Sequence, residues 1–113
     1  MTDYKVELTQ TARRDLLGIV YYIQTELREP QIAKKLYWLL KEEINSLSYL
    51  PERNPLMDGT DEIRALELRK LLVKNYSVLY RVDNEVHTVR IARVMYSGRD
   101  IATQLTDTQW NEE

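Results

Sequence analysis

The chain has no cysteine, a single histidine (His87), and only three glycines and three prolines among its 113 residues. Without thiols there is no disulfide, no cysteine-ligated zinc site and no cysteine nucleophile. One histidine excludes every motif that needs two imidazoles. A Gly-rich phosphate loop and a nucleophile elbow are also missing. Because these generic catalytic motifs are absent, we expect neither a metal nor a cofactor.

Long apolar runs are missing as well. No run approaches the roughly 20 residues that span a bilayer, and the N-terminus lacks the basic-then-apolar pattern of a signal peptide. We therefore expect no membrane contact and a cytoplasmic location. Apolar residues make up 43% of the chain and charged residues 30%, which is ordinary for a soluble globular protein. The length of 113 residues predicts a single domain over residues 1–113.

The charge of the chain is unevenly distributed. A formal net charge of −2 argues against a general nucleic-acid binder, which is usually strongly basic. Residues 69–99, however, contain seven bases against two acids, and residues 100–113 contain four acids and no base. The basic stretch fits solvated strand positions, an RNA-orienting surface or a surface for an acidic protein. Its seven bases are Arg69, Lys70, Lys74, Arg81, Arg90, Arg93 and Arg99.

Helical spacing dominates the N-terminal half. A short strand at residues 4–8 is followed by Thr9, a good N-cap, and by apolar residues whose spacing predicts an amphipathic helix to about Arg28. Pro30 suits the first turn of a second helix, which Pro51 closes. The short connection predicts an antiparallel helical hairpin. Gly18 costs the first helix about 1 kcal/mol relative to alanine, so we expect close packing against a neighbour there.

Strand-like patterns dominate the C-terminal half. A loop at residues 51–62, rich in Pro, Asn, Asp and Gly, precedes three strand-like runs at residues 63–74, 76–82 and 86–96. A tight turn is predicted at residues 83–85. The order β-α-α-β-β-β predicts an α+β fold in which the helical hairpin packs on one face of a small antiparallel-rich sheet.

The stretch "NYSVLYRVD" at residues 75–83 alternates with period two, so its side chains point to two faces of the sheet. One face looks like core. We expect the helices to leave the other face uncovered, so that it carries the function. The first face takes Tyr76, Val78, Tyr80 and Val82, and the second takes Ser77, Leu79 and Arg81.

The run from Leu68 to Asp100 resembles the RelE/ParE superfamily of toxins from bacterial type II toxin–antitoxin systems, of the plasmid-stabilisation type. Its most specific parts are "NYSVLYRVD" and "RVMYSGRD"; "TQTARRDLLGIVYYI" and "PERNPLMDG" support it. The resemblance covers about residues 4–101 and leaves residues 102–113 as an acidic tail. It implies a toxin that inhibits growth when free, is bound by a cognate antitoxin, and meets operator DNA only through that antitoxin.

Two activities occur in such a family. RelE-like members cleave mRNA on the ribosome without a metal, using basic residues and a proton-moving Tyr or His, whereas ParE-like members poison DNA gyrase. By resemblance, Lys70 matches a functional lysine of the nucleases. Ser77 stands where they keep a transition-state arginine, and a serine lacks the charge and forked donors of a guanidinium. Arg81, two residues further along the strand, is a candidate to compensate.

Three further residues match the family near its C-terminus. Tyr96 lies near the position where the nucleases keep their proton-moving residue. Arg93 matches an arginine of ParE-like members, and Arg99 matches an arginine common to both branches. His87 is expected to be a solvated hairpin residue. If the chain is a nuclease, its catalytic residues are Lys70, Arg81, Tyr96 and Arg99. The residues expected to contact the target or RNA are Lys70, Lys74, Ser77, Arg81, Arg93 and Arg99.

Ser77 and the net acidity favour a ParE-like toxin with a protein target such as DNA gyrase. The first alternative is a RelE-like ribosome-dependent ribonuclease with a rearranged site. The second is an attenuated toxin that is retained for antitoxin binding and autoregulation. All three share the antitoxin as partner, and the target is either gyrase or the ribosome with its mRNA.

Overall fold

The structure, a computed structural model, describes residues 3–98 and 100–108. These described residues form four strands and four α-helices, and their order confirms the predicted α+β fold. In chain order they are β1 (Lys5–Leu8), α1 (Gln10–Tyr21), α2 (Pro30–Asn45), α3 (Asp61–Ala65), β2 (Arg69–Val73), β3 (Tyr76–Asp83), β4 (Thr88–Tyr96) and α4 (Ile101–Thr106).

The helical hairpin begins where the sequence predicts. The Thr9 hydroxyl accepts a hydrogen bond from the Ala12 N–H, which caps α1, and Pro30 occupies the first turn of α2. Helical structure continues to Glu26, near the predicted end at about Arg28, but its last five residues, Tyr22–Glu26, form a π-helical turn after α1. Helix α2 ends at Asn45, and short 3₁₀ turns then lead into the loop.

The sheet has the order β1-β4-β3-β2, so β1 and β2 are its edges. Strand β1 runs parallel to β4, and the other neighbours are antiparallel. The predicted strand at residues 63–74 is wrong in its first half, where α3 forms instead. The Thr60 hydroxyl accepts a hydrogen bond from the Ile63 N–H, and two acidic residues lie in the first turn. Both features favour the start of a helix. The turn before β4 spans residues 84–87 rather than 83–85.

Each face of the sheet has its own hydrophobic core. The first core lies under α1 and α2 and includes Leu40, Val78 and Tyr80. The second core joins Leu79 of β3 to Ile63 and Leu105, which lie in α3 and α4. The expectation of an uncovered second face is therefore wrong, because these two short helices cover much of it.

The pairing of β3 with β4 contains one register shift, between Leu79 and Tyr80. Leu79 pairs with Arg93 but Tyr80 pairs with Ile91, so Ala92 has no partner on β3. Such a bulge changes the direction of the side chains that follow it. Here Ala92 packs into the second core, while Arg93 reaches α1.

The expected tail begins with an ordered helix. Asp100 caps α4 by accepting a hydrogen bond from the Thr103 N–H, and Leu105 is fully buried in the second core. The boundary of the packed domain at about residue 101 is thus too early, since α4 completes the second core. Residues 109–113 lie outside the described residues. Across residues 3–98 and 100–108, no helix is long and apolar enough to cross a bilayer.

Candidate partner-binding groove and strand surface

The expected basic surface is largely neutralised by carboxylates. Four of the six described bases of residues 69–99 are in ion pairs, and two of the pairing distances are as long as 3.6 and 3.8 Å. Lys70 and Lys74 are exposed and form no ion pair within the described part of the chain. Arg99 lies outside it. The pairs are Arg69–Glu52, Arg81–Glu67, Arg90–Asp83, Arg90–Glu7 and Arg93–Asp15.

The residues predicted for a nuclease lie on different faces of the sheet. Lys70 pairs with Leu79, which belongs to the second core, and Arg81 follows Leu79 on that same face. Such diagonal neighbours are typically about 7 Å apart. Tyr96 instead pairs with Tyr76, which packs against the first core. The structure therefore brings Lys70 and Arg81 together but separates them from Tyr96.

Ser77 is fully buried, so the expectation that it lies on an exposed contact surface is wrong. Its hydroxyl is 2.7 Å from that of Ser97 and forms a hydrogen bond with it. This bond ties the start of β3 to the segment after β4. In this conformation Ser77 cannot touch a macromolecular target.

Arg93 is a structural residue in this fold. Its guanidinium forms a forked ion pair with Asp15 of α1, Nε to Oδ2 at 2.7 Å and Nη2 to Oδ1 at 2.9 Å. Its Nη1 donates to the Thr108 hydroxyl at 2.7 Å. The Arg93 side chain is only 15% exposed, so its donors are used within the chain rather than offered to a target.

His87 does not behave as a solvated hairpin residue. Its ring stacks on that of Tyr4 with centroids 3.7 Å apart, and it adopts a left-handed backbone conformation with φ +53°. The Tyr4 hydroxyl donates to Asn84 of the same turn. This contact fixes the β3–β4 turn against the start of β1.

A groove of about 820 Å³ lies between the helical hairpin and the ends of β3 and β4. We call it the hairpin groove. Its lining residues come from α1, the π-helical turn, the start of α2 and the sheet, and include Gly18, Tyr22, Leu27, Ile32, Tyr76 and Tyr96.

Apolar side chains are unusually exposed in the hairpin groove. Tyr22, Leu27 and Ile32 each leave more than half of their surface exposed. The rings of Tyr76 and Tyr96 meet edge to face with centroids 5.8 Å apart. Burial, and to a lesser extent the neighbouring Tyr96, raises the pKa of Tyr76 above its usual value of 10.0, so its hydroxyl is a neutral hydrogen-bonding group.

Gly18 lines the same groove and leaves space in it. A Cβ atom at this position would meet no other atom within 4 Å, so the expected close packing within the chain is wrong. A glycine weakens a helix by about 1 kcal/mol relative to alanine, and no side chain of the described residues fills the space. An apolar concavity rimmed by the polar side chains of Arg14, Glu29 and Gln104 suits an amphipathic segment of another protein.

Sequence reasoning missed the hairpin groove. Its residues come from both helices of the hairpin, the π-helical turn, two strands and α4, which only the fold brings together. In the sequence, Tyr22 and Ile32 look like ordinary members of amphipathic helices. No group of three or more metal-ligating side chains occurs among residues 3–98 and 100–108.

Comparison with known proteins supports the resemblance drawn from the sequence. The family described as "ParE toxin of type II toxin-antitoxin system, parDE" matches residues 6–101. The chain is 31% identical to a chain of the RelBE2 toxin–antitoxin complex from Mycobacterium tuberculosis, covering 85% of this chain and 93% of that one, with a TM-score of 0.58. Among curated proteins, no sequence matches significantly.

Two more distant structures share the fold. A chain of the chromosomal ParDE system from P. aeruginosa is 20% identical with a TM-score of 0.64, covering 82% of this chain and 95% of that one. A chain of the archaeal RelE–RelB complex from Pyrococcus horikoshii is 22% identical with a TM-score of 0.58, and the match covers 88% of this chain and 99% of that one.

Proposed function

Because this chain belongs to the family of ParE toxins of type II toxin–antitoxin systems, we propose that it arrests growth by binding a protein target such as DNA gyrase rather than by cleaving RNA. A cognate antitoxin holds it inactive. The observation that carries the choice of target is the position of Tyr96, which lies on the opposite face of the sheet from Lys70 and Arg81.

Metal-independent RNA cleavage needs cations beside the scissile phosphate together with a group that moves a proton. Tyr96 is the only candidate proton-moving side chain among the residues predicted for a nuclease. It packs against Tyr76 in the hairpin groove. The position of the nuclease arginine is taken by the buried Ser77. Arg81 is engaged by Glu67 at 3.2 Å. These three features favour a toxin that uses its surface to bind a protein.

The hairpin groove is the proposed antitoxin site. An amphipathic helix laid into it would cover the exposed Tyr22, Leu27 and Ile32, and the missing side chain of Gly18 would let the helix approach α1 closely. In helix-in-groove binding of this kind, the partner helix carries apolar anchor residues about one turn apart. The partner, disordered alone, would order on binding.

One observation favours a RelE-like ribonuclease as a second candidate. Lys70 and Arg81 lie on one face as diagonal neighbours, and the 31% identical relative belongs to a complex named RelBE2. A nuclease built on these two cations would need a different proton-moving group from Tyr96.

Induced expression of the chain without antitoxin in a bacterium tests the proposal. Growth is followed together with the 5′ ends of transcripts, and purified gyrase is assayed for supercoiling in the presence of the purified chain. We expect growth arrest, intact messages and loss of supercoiling. Translation-dependent cleavage inside reading frames would overturn the choice of target, and normal growth despite accumulation of folded chain would indicate an attenuated toxin.

Paired substitutions make the same experiment sharper. The Lys70→Ala, Arg81→Ala double variant removes the two cations that a nuclease would need, so growth arrest that persists in this variant would exclude the RelE-like alternative. Lys34→Ala with Lys35→Ala, on the exposed surface of α2, is the matched control for loss of two positive charges. Gly18→Arg should fill the hairpin groove and weaken antitoxin binding at least tenfold without unfolding the chain.

A further inference from the structure

The outer face of α1 carries large apolar side chains that lie outside the hairpin groove. Leu17 is 62% exposed and Tyr21 is 66% exposed, and neither of them lines the groove. Gly18 lies on the same face, and a Cβ atom there would meet no other atom within 4 Å. An exposed ring beside an open glycine gives the helix a knob and a hole, which suits close packing against a second helix.

The spacing of exposed residues on this face is that of a seam between two helices. Arg14, Gly18, Tyr21 and Thr25 follow each other at intervals of four, three and four residues, and all four are exposed. Such intervals place side chains in one line along a helix. A π-helical turn follows α1 and bonds residues five apart, so Glu26 lies about one turn beyond Tyr21. We call these five residues the α1 stripe.

The charges of the α1 stripe are self-complementary. The stripe begins with Arg14 and ends with Glu26, and both side chains are exposed. Two parallel stripes would set like charges against each other, whereas two antiparallel stripes place Arg14 of each copy beside Glu26 of the other. A two-fold dimer needs this pattern, because its two subunits present the same patch to each other.

We propose that the chain, when free of its antitoxin, forms a two-fold dimer in which the α1 stripes of two copies pack antiparallel. With the two-fold axis midway between Gly18 and Tyr21, each Tyr21 ring covers Gly18 of the other copy. Leu17 packs beside this contact, and burial of these apolar side chains drives association. Arg14 lies opposite Thr25 of the other copy and reaches Glu26 of that copy.

Dimerisation and antitoxin binding exclude each other in this arrangement. Gly18 belongs to the α1 stripe and also lines the hairpin groove, so a second copy packed on it blocks the approach of an antitoxin helix to α1. The antitoxin therefore binds the monomer and draws the dimer apart by mass action. This competition rests on the proposed function, which places the antitoxin in the groove, whereas the dimer itself does not.

Charge exchange tests the dimer. Sedimentation equilibrium of the purified chain without antitoxin measures the dimer dissociation constant. We expect Arg14→Glu and Glu26→Arg, each alone, to raise this constant at least tenfold, because like charges then meet twice across the two-fold axis. An equal mixture of the two variants should dimerise as the wild type does, since both contacts then join unlike charges. Lys34→Glu and Glu42→Arg, on the exposed surface of α2, are the matched controls and should leave the constant unchanged.

Tyr21→Ala separates the dimer from the hairpin groove, because Tyr21 lies outside the groove lining. We expect this variant to raise the dimer dissociation constant at least tenfold. In the wild type, the apparent affinity for the antitoxin should fall as the chain concentration rises through that constant. In Tyr21→Ala, the affinity should stay at the value of the wild-type monomer at all these concentrations.

A wild-type chain that stays monomeric up to its limit of solubility would overturn the proposal. Single charge variants that dimerise normally, or a mixture of them that stays monomeric, would overturn it as well, because neither result fits antiparallel stripes. Failure of the preceding proposal has a different signature. If growth arrest is absent, or if the antitoxin binds Gly18→Arg normally, the proposed function or its groove fails, while the charge-exchange result still decides the dimer.

Discussion

Asp15 and Arg93 form the central polar link between the helices and the sheet. The Asp15 carboxylate accepts both forked donors of the guanidinium, and its Oδ2 also accepts the Val94 backbone N–H at 2.9 Å. The two side chains are 14% and 15% exposed. Because Arg93 also reaches Thr108 beyond α4, one ion pair joins α1 and β4 to the segment that follows α4.

Asp15→Ala should lower the free energy of unfolding by about 2–4 kcal/mol, because it leaves a mostly buried guanidinium and the Val94 N–H without their acceptor. Urea unfolding followed by circular dichroism measures this. Glu67→Ala is the matched control, since it breaks the exposed pair with Arg81 and should change stability by no more than about 1 kcal/mol. Similar losses for the two variants would contradict the structural role of Asp15.

Ser77→Arg should not restore a nuclease. Ser77 is fully buried, and a buried unpaired guanidinium costs several kcal/mol, so the variant should be strongly destabilised or insoluble. Ser77→Ala, which loses only the hydrogen bond to Ser97, should cost about 1 kcal/mol. Thermal unfolding and soluble yield distinguish the two variants. A well-folded Ser77→Arg protein that cleaves mRNA would contradict the buried position.

Tyr80 should make the chain sensitive to alkali. Its buried hydroxyl donates to the Pro51 carbonyl at 2.6 Å and accepts from Asn54 at 3.1 Å, and burial raises its pKa above the usual 10.0. The folded state therefore holds this proton to higher pH than the unfolded chain. The resulting stabilisation is complete below pH 10 and is lost as pH rises through the folded pKa.

Tyr80→Phe should reduce stability by about 1–2 kcal/mol at pH 7, because the Pro51 carbonyl and Asn54 lose their partner. The difference from the wild type should shrink above pH 10, which urea unfolding at several pH values measures. Tyr21→Phe, at an exposed position, is the control with no expected effect. A difference in stability that stays constant with pH would mean that the pKa of Tyr80 is not raised in the folded state.

Gly18→Ala should stabilise the chain by about 0.5–1 kcal/mol, because alanine favours the helix and its Cβ would meet no atom within 4 Å. Gly59→Ala should instead destabilise it, since Gly59 has φ +145°, a conformation that L-residues rarely adopt. Thermal unfolding compares the two. Loss of stability in Gly18→Ala would indicate hidden packing at the groove.

Local signals account for most of what the sequence predicts correctly. Thr9 and Pro30 mark the starts of α1 and α2 at the positions observed, because capping and the geometry of proline act within one helical turn. The predicted strand at residues 63–74 is wrong for a local reason as well, since Thr60 caps a short helix at its start. The sequence motifs in β3 and β4 are specific enough to indicate the family.

The assignment of site residues depended on contacts between distant segments. Period-two alternation correctly separated Ser77 and Leu79 from Tyr76 and Tyr80, but it says nothing about what covers each face. Helices α3 and α4 bury Leu79 from the second side.

The sequence by itself determined the family, the α+β architecture and the helix starts, because each of these depends on local patterns or on a contiguous motif. Only the tertiary structure decided which bases are paired, that Ser77 is buried, that Tyr96 lies apart from Lys70, and that a groove lies beside the helical hairpin. Those properties arise from packing between residues far apart in the sequence, such as Asp15 and Val94, which are 79 positions apart, and spacing along the chain does not encode them.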